Sequence, residues 1–249
     1  MVTASATHGG LSLQRSAVEG AGKAQLERRD VMMDITERVR SYLAVTERKY
    51  FPGQDEYYAR VALAQALRAF EEGDYGIGAV AIVVSDDHVQ EFRERNAMIT
   101  GVGVVDHAET RALLRIGKTQ PDATYPRDLN ALTSKLPEGV SMYGTVEPCP
   151  MCVTTLTNVG AKRSVSTVLD GDLIETAEGF YISSGSASAI GQKAKLQPLL
   201  WQGIQNVEGL RFTLLQTNDE ELKLLSAQIY IETREVIDQE LAKGSSFSY

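Results

Sequence analysis

The sequence predicts an α/β fold, a layered sandwich in which helices pack on a sheet. Segments whose apolar residues recur at helical spacing alternate with short apolar runs rich in β-branched residues, and turn-forming residues separate them. Such an alternation is typical of a sheet covered by helices. The 249 residues suffice for one large domain or a compact domain with two appendages. We predict an N-terminal arm and helix (1–50), a core (51–180) and a C-terminal extension packing on that core (181–249).

The first part of the chain is predicted to hold two amphipathic helices and a β-hairpin. Residues 1–24 are rich in Gly, Ala and Ser without a period, so we expect a loosely packed arm there. The elements expected next are a helix over 24–45, a helix over 55–72 that Gly73 ends, a buried strand over 75–84, a turn at 85–88 and a return strand over 89–96. The apolar stripe of the first helix needs burial, either against the core or against a second subunit.

The remaining elements continue the alternation. They are a helix over 107–116 with Asp106 as its N-cap, a long loop over 117–138 with three prolines, a strand over 140–145, a helix over 150–160, a strand over 164–169, a loop over 170–205 that includes the Ser-rich stretch 183–188, a strand over 210–215 and a closing helix to about residue 243. Asn218 and Glu221 have the spacing of a capping box at the start of that last helix.

Charge and hydropathy narrow the classes of partner. The formal net charge is −8, and basic residues form only short clusters such as Arg28-Arg29 and Lys162-Arg163. A protein that grips phosphate backbones usually has a basic face, so this balance disfavours a nucleic-acid partner and favours a small-molecule substrate. No apolar stretch is long enough to cross a bilayer, and the first residues lack a secretory signal. We therefore expect a cytoplasmic protein without a membrane partner.

Cys149, Cys152 and His107 are the candidate metal ligands. A catalytic zinc ion is typically held by three His, Cys or carboxylate ligands, which leaves its fourth position to water. Residues three apart share one face of a helix, so both cysteines of the Cys-x-x-Cys segment can reach one ion. Glu109 follows His107 by two residues, where it can carry protons without binding the metal itself.

Two other interpretations of the cysteine pair remain open. A Cys-x-x-Cys segment alone can be a redox pair, which would leave His107 and Glu109 without a role. It can also be half of a structural zinc site, but that needs two more ligands, and the other histidines are His8 in the arm and His88 in a turn. The shared catalytic zinc site explains both cysteines, the histidine and the glutamate together.

The segments His107-Ala108-Glu109 and Glu147-Pro148-Cys149-Pro150-Met151-Cys152 together resemble the zinc signature of the cytidine deaminase-like superfamily. The stretch from about Asp55 to Asp172 is most similar to its guanine deaminase and tRNA adenosine deaminase branch. The resemblance implies a three-layer α-β-α sandwich with a mixed sheet of about five strands, a homodimer, and a catalytic core over 51–180. It also implies that Asn96 holds the substrate and that the backbone N–H of Ala108 meets a substrate carbonyl.

We therefore expect a zinc-dependent hydrolytic deaminase that acts on a free nucleobase, nucleoside or related heterocycle, with purines favoured by the resemblance. A tRNA-type adenosine deaminase is the first alternative, and a zinc-stabilised binding module without catalysis is the second. Retention of Glu109 argues against the latter, since a structural site needs no proton carrier. Val104-Val105-Asp106 replaces the Asp-Pro-Thr that usually precedes His-Ala-Glu in the branch, so a substrate-facing loop differs here.

Overall fold

The structure is a computed structural model that describes residues 35–85, 88–101, 103, 105–119, 139–168, 173–175, 181–183 and 211–242. Its helices are α1 (35–45), α2 (Asp55–Glu71), α3 (Ala108–Thr119), α4 (Pro150–Asn158) and α5 (Glu220–Ala242). Its strands are β1 (Gly78–Ser85), β2 (His88–Arg95), β3 (Ser141–Val146), β4 (Arg163–Val168), β5 (Leu173–Glu175), β6 (Tyr181–Ser183) and β7 (Arg211–Leu214). Within this described part, no helix is both long and apolar enough to span a membrane.

Five strands form one mixed sheet in the order β2-β1-β3-β4-β7. Strand β1 is antiparallel to both β2 and β3, whereas β3, β4 and β7 run parallel to one another. Strands β2 and β3 therefore point the same way, and the segments that follow them emerge at the same edge of the sheet. The predicted α/β fold with a mixed sheet of about five strands is confirmed.

Helices cover both faces of this sheet. Successive side chains of a strand point to opposite faces, so each strand contributes to both helix-covered sides. Along β1, Ala79, Ala81 and Val83 pack on one face in a cluster with α3 and α4. Val80 and Ile82 point to the other face, where they pack in a cluster with α1, α2 and α5. Because both faces are buried, the strand is apolar throughout rather than alternating with polar residues.

The described part of the first helix packs on the core. Ile35, Val39 and Tyr42 of α1 are buried in the same cluster as Leu222 and Leu225 of α5. Of the two partners left open for this apolar stripe, the structure supplies the core within one chain. The C-terminal segment is likewise joined to the core, since β7 pairs with β4 and α5 packs against α2.

A buried carboxylate joins these terminal segments. Oδ1 of Asp219 accepts a hydrogen bond from the Leu222 N–H at 3.0 Å, so Asp219 is the N-cap of α5. Its Oδ2 accepts hydrogen bonds from the Tyr42 hydroxyl at 2.9 Å, from Lys49 Nζ at 2.8 Å and from the Tyr50 hydroxyl. Burial raises the pKa of Asp219, but these hydrogen bonds outweigh it and lower the pKa to about 2.

Several predicted boundaries need correction. The capping box expected at Asn218 is displaced by one residue, because Asp219 supplies the cap. Asp106 is not the N-cap of α3, since the His107 carbonyl accepts the first helical bond from Arg111 and the helix starts at Ala108.

Other corrections concern element lengths. The predicted start of the first strand at residue 75 is wrong because the strand begins at Gly78. Helix α3 continues to Thr119, three residues into the predicted loop over 117–138. The loop expected over 170–205 contains the antiparallel pair β5 and β6. The predicted arm, residues 24–34 of the first helix and the remainder of both loops lie outside the described residues.

Candidate metal centre

The topology of the sheet brings the three predicted ligands together. Strand β2 leads to His107 and α3, and β3 leads to Cys149 and α4, so both helices start at the same edge of the sheet. Cys149 occupies the N-cap position of α4, and Cys152 lies in its first turn. Neither the spacing in the sequence nor the helix alone could place His107 there. The shared direction of β2 and β3 does so.

The three side chains have the geometry of a zinc site. One ligand atom each from His107, Cys149 and Cys152 lies within 4.8 Å of the other two. Nδ1 of His107 is 3.5 Å from Sγ of Cys149. Tetrahedral zinc bonded to nitrogen and sulfur at its usual distances separates such atoms by about 3.5–3.8 Å. The donor set of one imidazole and two thiols therefore fits zinc with its fourth position open.

Local structure leaves the ligands available. In the described structure the Cys149 side chain makes no capping hydrogen bond, although it occupies the N-cap position. Pro150 follows it at the first helical position, where an N–H would have had no helical partner anyway. Cys152 is buried, while His107 and Cys149 are half-buried. The site is thus shielded from solvent at Cys152 and partly accessible to solvent at His107 and Cys149.

The two thiols have pKa values shifted in opposite directions. Hydrogen bonds from Cys152 and from His107 together lower the pKa of Cys149 to about 4. The hydrogen bond to Cys149 and burial raise the pKa of Cys152 well above its usual range, and the nearby Glu109 adds to this. The pair therefore loses one proton easily and retains the second. A divalent cation stabilises both thiolates and so releases that second proton.

Glu109 lies beside the ligands in the first turn of α3. The residue is only 4% exposed, and its Oε2 accepts a hydrogen bond from Cys152 Sγ at 3.5 Å. Burial raises the pKa of Glu109, and the neighbouring Cys149 raises it further. A carboxyl group with a raised pKa exchanges its proton more readily near neutral pH, as a proton carrier requires.

Thr110 is a neighbour of the site that the sequence did not indicate. Its hydroxyl lies 3.8 Å from Cys152 Sγ and is buried. A hydroxyl beside a metal-binding thiolate orients that ligand and tunes its basicity. Threonine is common in helices, so its position directly after Glu109 carries no signal of its own.

Asn96 and Ala108, the predicted substrate contacts, are both fully buried at this edge of the sheet. Nδ2 of Asn96 donates a hydrogen bond to Oδ1 of Asp74 at 2.7 Å. The Ala97 N–H donates to the Asp106 carbonyl at 2.9 Å, which holds the end of β2 against the residue preceding His107. Asp74 was missed by sequence reasoning, and the one available signal is its place directly after Gly73, which ends α2 with a φ of +84°.

The sheet, its covering helices and the imidazole–thiol cluster define a zinc-binding α/β protein. Residues 52–168 match the family model described as the cytidine and deoxycytidylate deaminase zinc-binding region. Residues 52–168 carry the zinc-binding region of this superfamily, and the fold, the zinc cofactor and the family that the signature implied are confirmed.

Similar proteins fall into several substrate groups. The chain is 30% identical over 121 residues to the tRNA-specific adenosine deaminase of Aquifex aeolicus, covering 46% of this chain and 66% of that protein. It is 33% identical over 99 residues to the tRNA-specific adenosine deaminase of Bacillus subtilis, covering 40% and 52%. It is 27% identical over 125 residues to a probable cytosine deaminase of Schizosaccharomyces pombe, covering 50% and 67%. The alignments thus span between about half and two thirds of these relatives.

Among solved structures, the guanine deaminase from Nitrosomonas europaea is 18% identical, with a TM-score of 0.44 over 73% of this chain and 83% of that one.

Proposed function

We propose that the protein is a zinc-dependent hydrolytic deaminase, which replaces an exocyclic amino group of a nucleobase-like heterocycle with oxygen and releases ammonia. The observation that carries the proposal is the buried carboxyl of Glu109 against a cluster of one imidazole and two thiols, with 3.5 Å between its Oε2 and Cys152 Sγ. A structural zinc site has no use for a buried proton carrier beside its ligands. A redox cysteine pair has no use for the histidine.

The proposed reaction needs metal ligands and a proton carrier, and different residues supply them. His107, Cys149 and Cys152 would hold zinc, which when bound lowers the pKa of water at its open position from about 15.7 to about 7. Glu109 takes the protons of the attacking water, one after the other. It delivers the first to the ring nitrogen and the second to the departing amine. The water oxygen becomes the product carbonyl as the carbon–nitrogen bond breaks, so one water is consumed for each ammonia released.

The helix start completes the site. The first turn of α3 has backbone N–H groups without helical acceptors, and Ala108 is the first residue of that turn. We propose that the Ala108 N–H donates to a carbonyl oxygen of the substrate and that Asn96 hydrogen-bonds its ring or sugar. Both contacts would fix the amino-bearing carbon above the open position of the metal, which is how positioning contributes to rate.

A free nucleobase, nucleoside or related heterocycle is the substrate class that we propose, with purines preferred. The net charge of −8 supports a small molecule, because binding an RNA loop requires contacts to flanking phosphates as well as an extruded base. Similarity to a probable cytosine deaminase is consistent with action on a free base.

A tRNA adenosine deaminase is the second candidate, and the similarity to two tRNA-specific enzymes favours it. One assay separates the small-molecule enzyme from the tRNA enzyme. It measures ammonia release by zinc-loaded protein from purine and pyrimidine bases, nucleosides and nucleotides, and in parallel from an anticodon stem-loop RNA. Turnover of a free compound supports our proposal. Inosine formation in RNA without turnover of any free compound would replace it by the second candidate.

Glu109→Gln tests the proposed mechanism, because it keeps the shape of the side chain and removes its acid–base function. We expect kcat to fall by about 10²- to 10⁴-fold while bound zinc, measured by elemental analysis, stays at the wild-type level. His107→Ala serves as the matched control, since it should lose zinc together with activity. Loss of zinc in the glutamine variant would mean that Glu109 is itself a ligand. An inactive wild-type protein with full zinc would instead favour the binding module.

We further propose that the protein is cytoplasmic and that it forms a homodimer, the assembly that the resemblance to the superfamily implies. The apolar stripe of α1 does not support this, since its described residues are buried within the chain. Sedimentation equilibrium decides the subunit number, and a mass of one chain at micromolar concentration would contradict the dimer.

A further inference from the structure

Asp74 is a fully buried carboxylate that the proposed reaction does not use. It lies between α2 and β1, at the edge of the sheet where the metal ligands gather. Its Oδ1 accepts hydrogen bonds from the Tyr75 N–H at 2.9 Å and from Asn96 Nδ2 at 2.7 Å. Its Oδ2 accepts from the Ile99 N–H at 2.8 Å and from the N–H and hydroxyl of Thr100 at 2.9 Å and 3.1 Å.

These contacts determine which way the amide of Asn96 points. Both oxygens of the Asp74 side chain accept hydrogen bonds from backbone and hydroxyl donors, so Asn96 must turn its NH₂ group toward Asp74. The flipped amide would place two acceptor oxygens against each other and is excluded by that repulsion. Asp74 therefore fixes Oδ1 of Asn96 on the opposite side of the amide.

Oδ1 of Asn96 is buried and has no hydrogen-bond partner within the described structure. A buried acceptor without a donor is costly, and native proteins seldom leave one without a reason. The Asn96 backbone is held on both sides, since its N–H donates to the Ile77 carbonyl and the next N–H donates to Asp106. The free oxygen thus belongs to a rigid residue close to the start of α3.

The same carboxylate also holds the turn that leads to the metal site. Ile99 and Thr100 lie in a turn closed by the Gly101 N–H, which donates to the Ala97 carbonyl at 2.8 Å. A Cβ on Gly101 would lie 2.4 Å from that carbonyl and 2.8 Å from Asp106 Oδ2, so the turn packs tightly against the residue before His107. One side chain therefore sets both the orientation of Asn96 and the path into the ligand segment.

We infer that Asp74 is a positioning residue that makes Asn96 a hydrogen-bond acceptor, so that the site selects substrates presenting an N–H or O–H donor to it. This inference rests on the proposed function and names one feature of its substrate. It excludes recognition of a bare ring nitrogen by Asn96 Oδ1, because both are acceptors.

The first test uses the unaltered zinc-loaded protein. The ratio of kcat/KM is measured for guanine against its 1-, 7- and 9-methyl derivatives and for cytosine against 1-methylcytosine, each pair differing in one ring N–H. We expect one methylation to lower kcat/KM by about 10- to 100-fold, the effect of leaving a buried acceptor unpaired. If every methylated base retains kcat/KM within about 3-fold, the inference is overturned without any variant being needed.

The second test is Asp74→Asn, which is isosteric and converts one acceptor into a donor. Its carbonyl oxygen can keep the three donors of the turn, while its NH₂ group takes the position that now accepts from the Tyr75 N–H and from Asn96, and so forces the Asn96 amide to flip. We expect the parent-to-methyl ratio to fall by at least about 10-fold, because Asn96 then offers a donor. A purely steric effect of the methyl group would persist in the variant, so an unchanged ratio in folded D74N overturns the inference.

Thr100→Val is the matched control, since it removes one hydrogen bond to Asp74 and leaves the contact with Asn96 intact. Its parent-to-methyl ratio should stay within about 2-fold of wild type, and a fall as large as that of D74N would assign the effect to the turn and overturn the inference.

Binding of each base to zinc-loaded E109Q by calorimetry gives a readout without turnover. Turnover with unaltered ratios refutes only the inference. Absence of both turnover and binding refutes the proposed function and the inference with it.

Discussion

Replacing Asp219 by asparagine is predicted to destabilise the fold by an amount that the structure allows us to calculate. The side chain of Asp219 is 5% exposed and accepts hydrogen bonds from Tyr42, Lys49, Tyr50 and the Leu222 N–H. These lower its pKa from 3.8 to about 2. A tenfold change in proton affinity corresponds to about 1.4 kcal/mol, so the ionised carboxylate contributes on the order of 2–3 kcal/mol to the free energy of unfolding at pH 7.

The sign of the pH dependence follows from the lowered pKa. The folded protein holds the charged form more strongly than the unfolded chain does, so this stability is fully present above pH 3.8 and is lost as the pH falls through about 2. At pH 3, about half of it should remain. The amide of the D219N variant keeps an oxygen for the Leu222 N–H, so the helix cap survives and the charge is the main loss.

Urea unfolding of wild type and D219N at pH 7, 5, 4 and 3 measures this difference. Glu220→Gln is the matched control, because Glu220 lies next in the chain but its side chain is 79% exposed in its ion pair with Lys223. We expect the control to change stability by less than about 0.5 kcal/mol at every pH. A D219N difference that stays constant between pH 7 and pH 3, or that is as small as the control's, would refute the assignment to ionisation.

Three further predictions concern the metal and the tight packing beside it. Cys149→Ser should lose bound zinc, whereas Thr110→Val should keep all three ligands and weaken zinc affinity by roughly 10-fold, measured by chelator competition. Gly78→Ala should cost about 3 kcal/mol in urea unfolding, since its Cβ would lie 2.1 Å from the Ala62 carbonyl; Gly160→Ala, in open space with a φ of +76°, should cost only about 1–2 kcal/mol. Removing zinc should lower the Tm, and adding it back should raise the Tm with free zinc concentration.

The ligand set could be predicted from the sequence because its geometry is local. Cys149 and Cys152 share one helical face by spacing alone, and His107 with Glu109 mark a helix start. Each pair is fixed within four residues of the chain. The sheet was needed only to bring the two pairs together. The alternation of helices and strands in the sequence predicted such a sheet.

The boundaries that failed depend on distant residues. The first strand was predicted to start at residue 75 because an unbroken apolar run has no period to mark its end. In the structure the Gly76 N–H donates to the Thr233 hydroxyl at 2.8 Å, 157 residues away, so it does not join the sheet ladder. Similarly, β5 and β6 have three residues each and too little sequence to show alternation.

Sequence reasoning missed both Asp74 and Asp219, two buried hydrogen-bonded aspartates of the described residues, for one physical reason. The donors to Asp74 beyond Tyr75 come from 22–26 residues further along the chain, and Asp219 binds side chains 169–177 residues away. In the sequence each is one of several acidic residues beside a helix end, where solvated carboxylates are common. The local capping pattern led instead to Asp106 and Asn218, each one residue from the true N-cap.

The residues proposed for the chemistry are placed by local sequence, whereas the residues proposed for substrate selection are placed by distant contacts. The candidate ligands and Glu109 lie at the starts of α3 and α4. Their short spacings, His-x-Glu and Cys-x-x-Cys, are visible in the sequence and indicate the chemistry. Orientation of Asn96 depends on Asp74, which reaches it across the start of β1 and is not one of the clustered candidate ligands. On the proposed function, we therefore expect changes at position 74 to alter which heterocycle is accepted while zinc binding and proton transfer by Glu109 stay as they are. For that reason the zinc signature predicts deamination, and the donor–acceptor pattern around Asn96 is the feature that should distinguish one substrate from another.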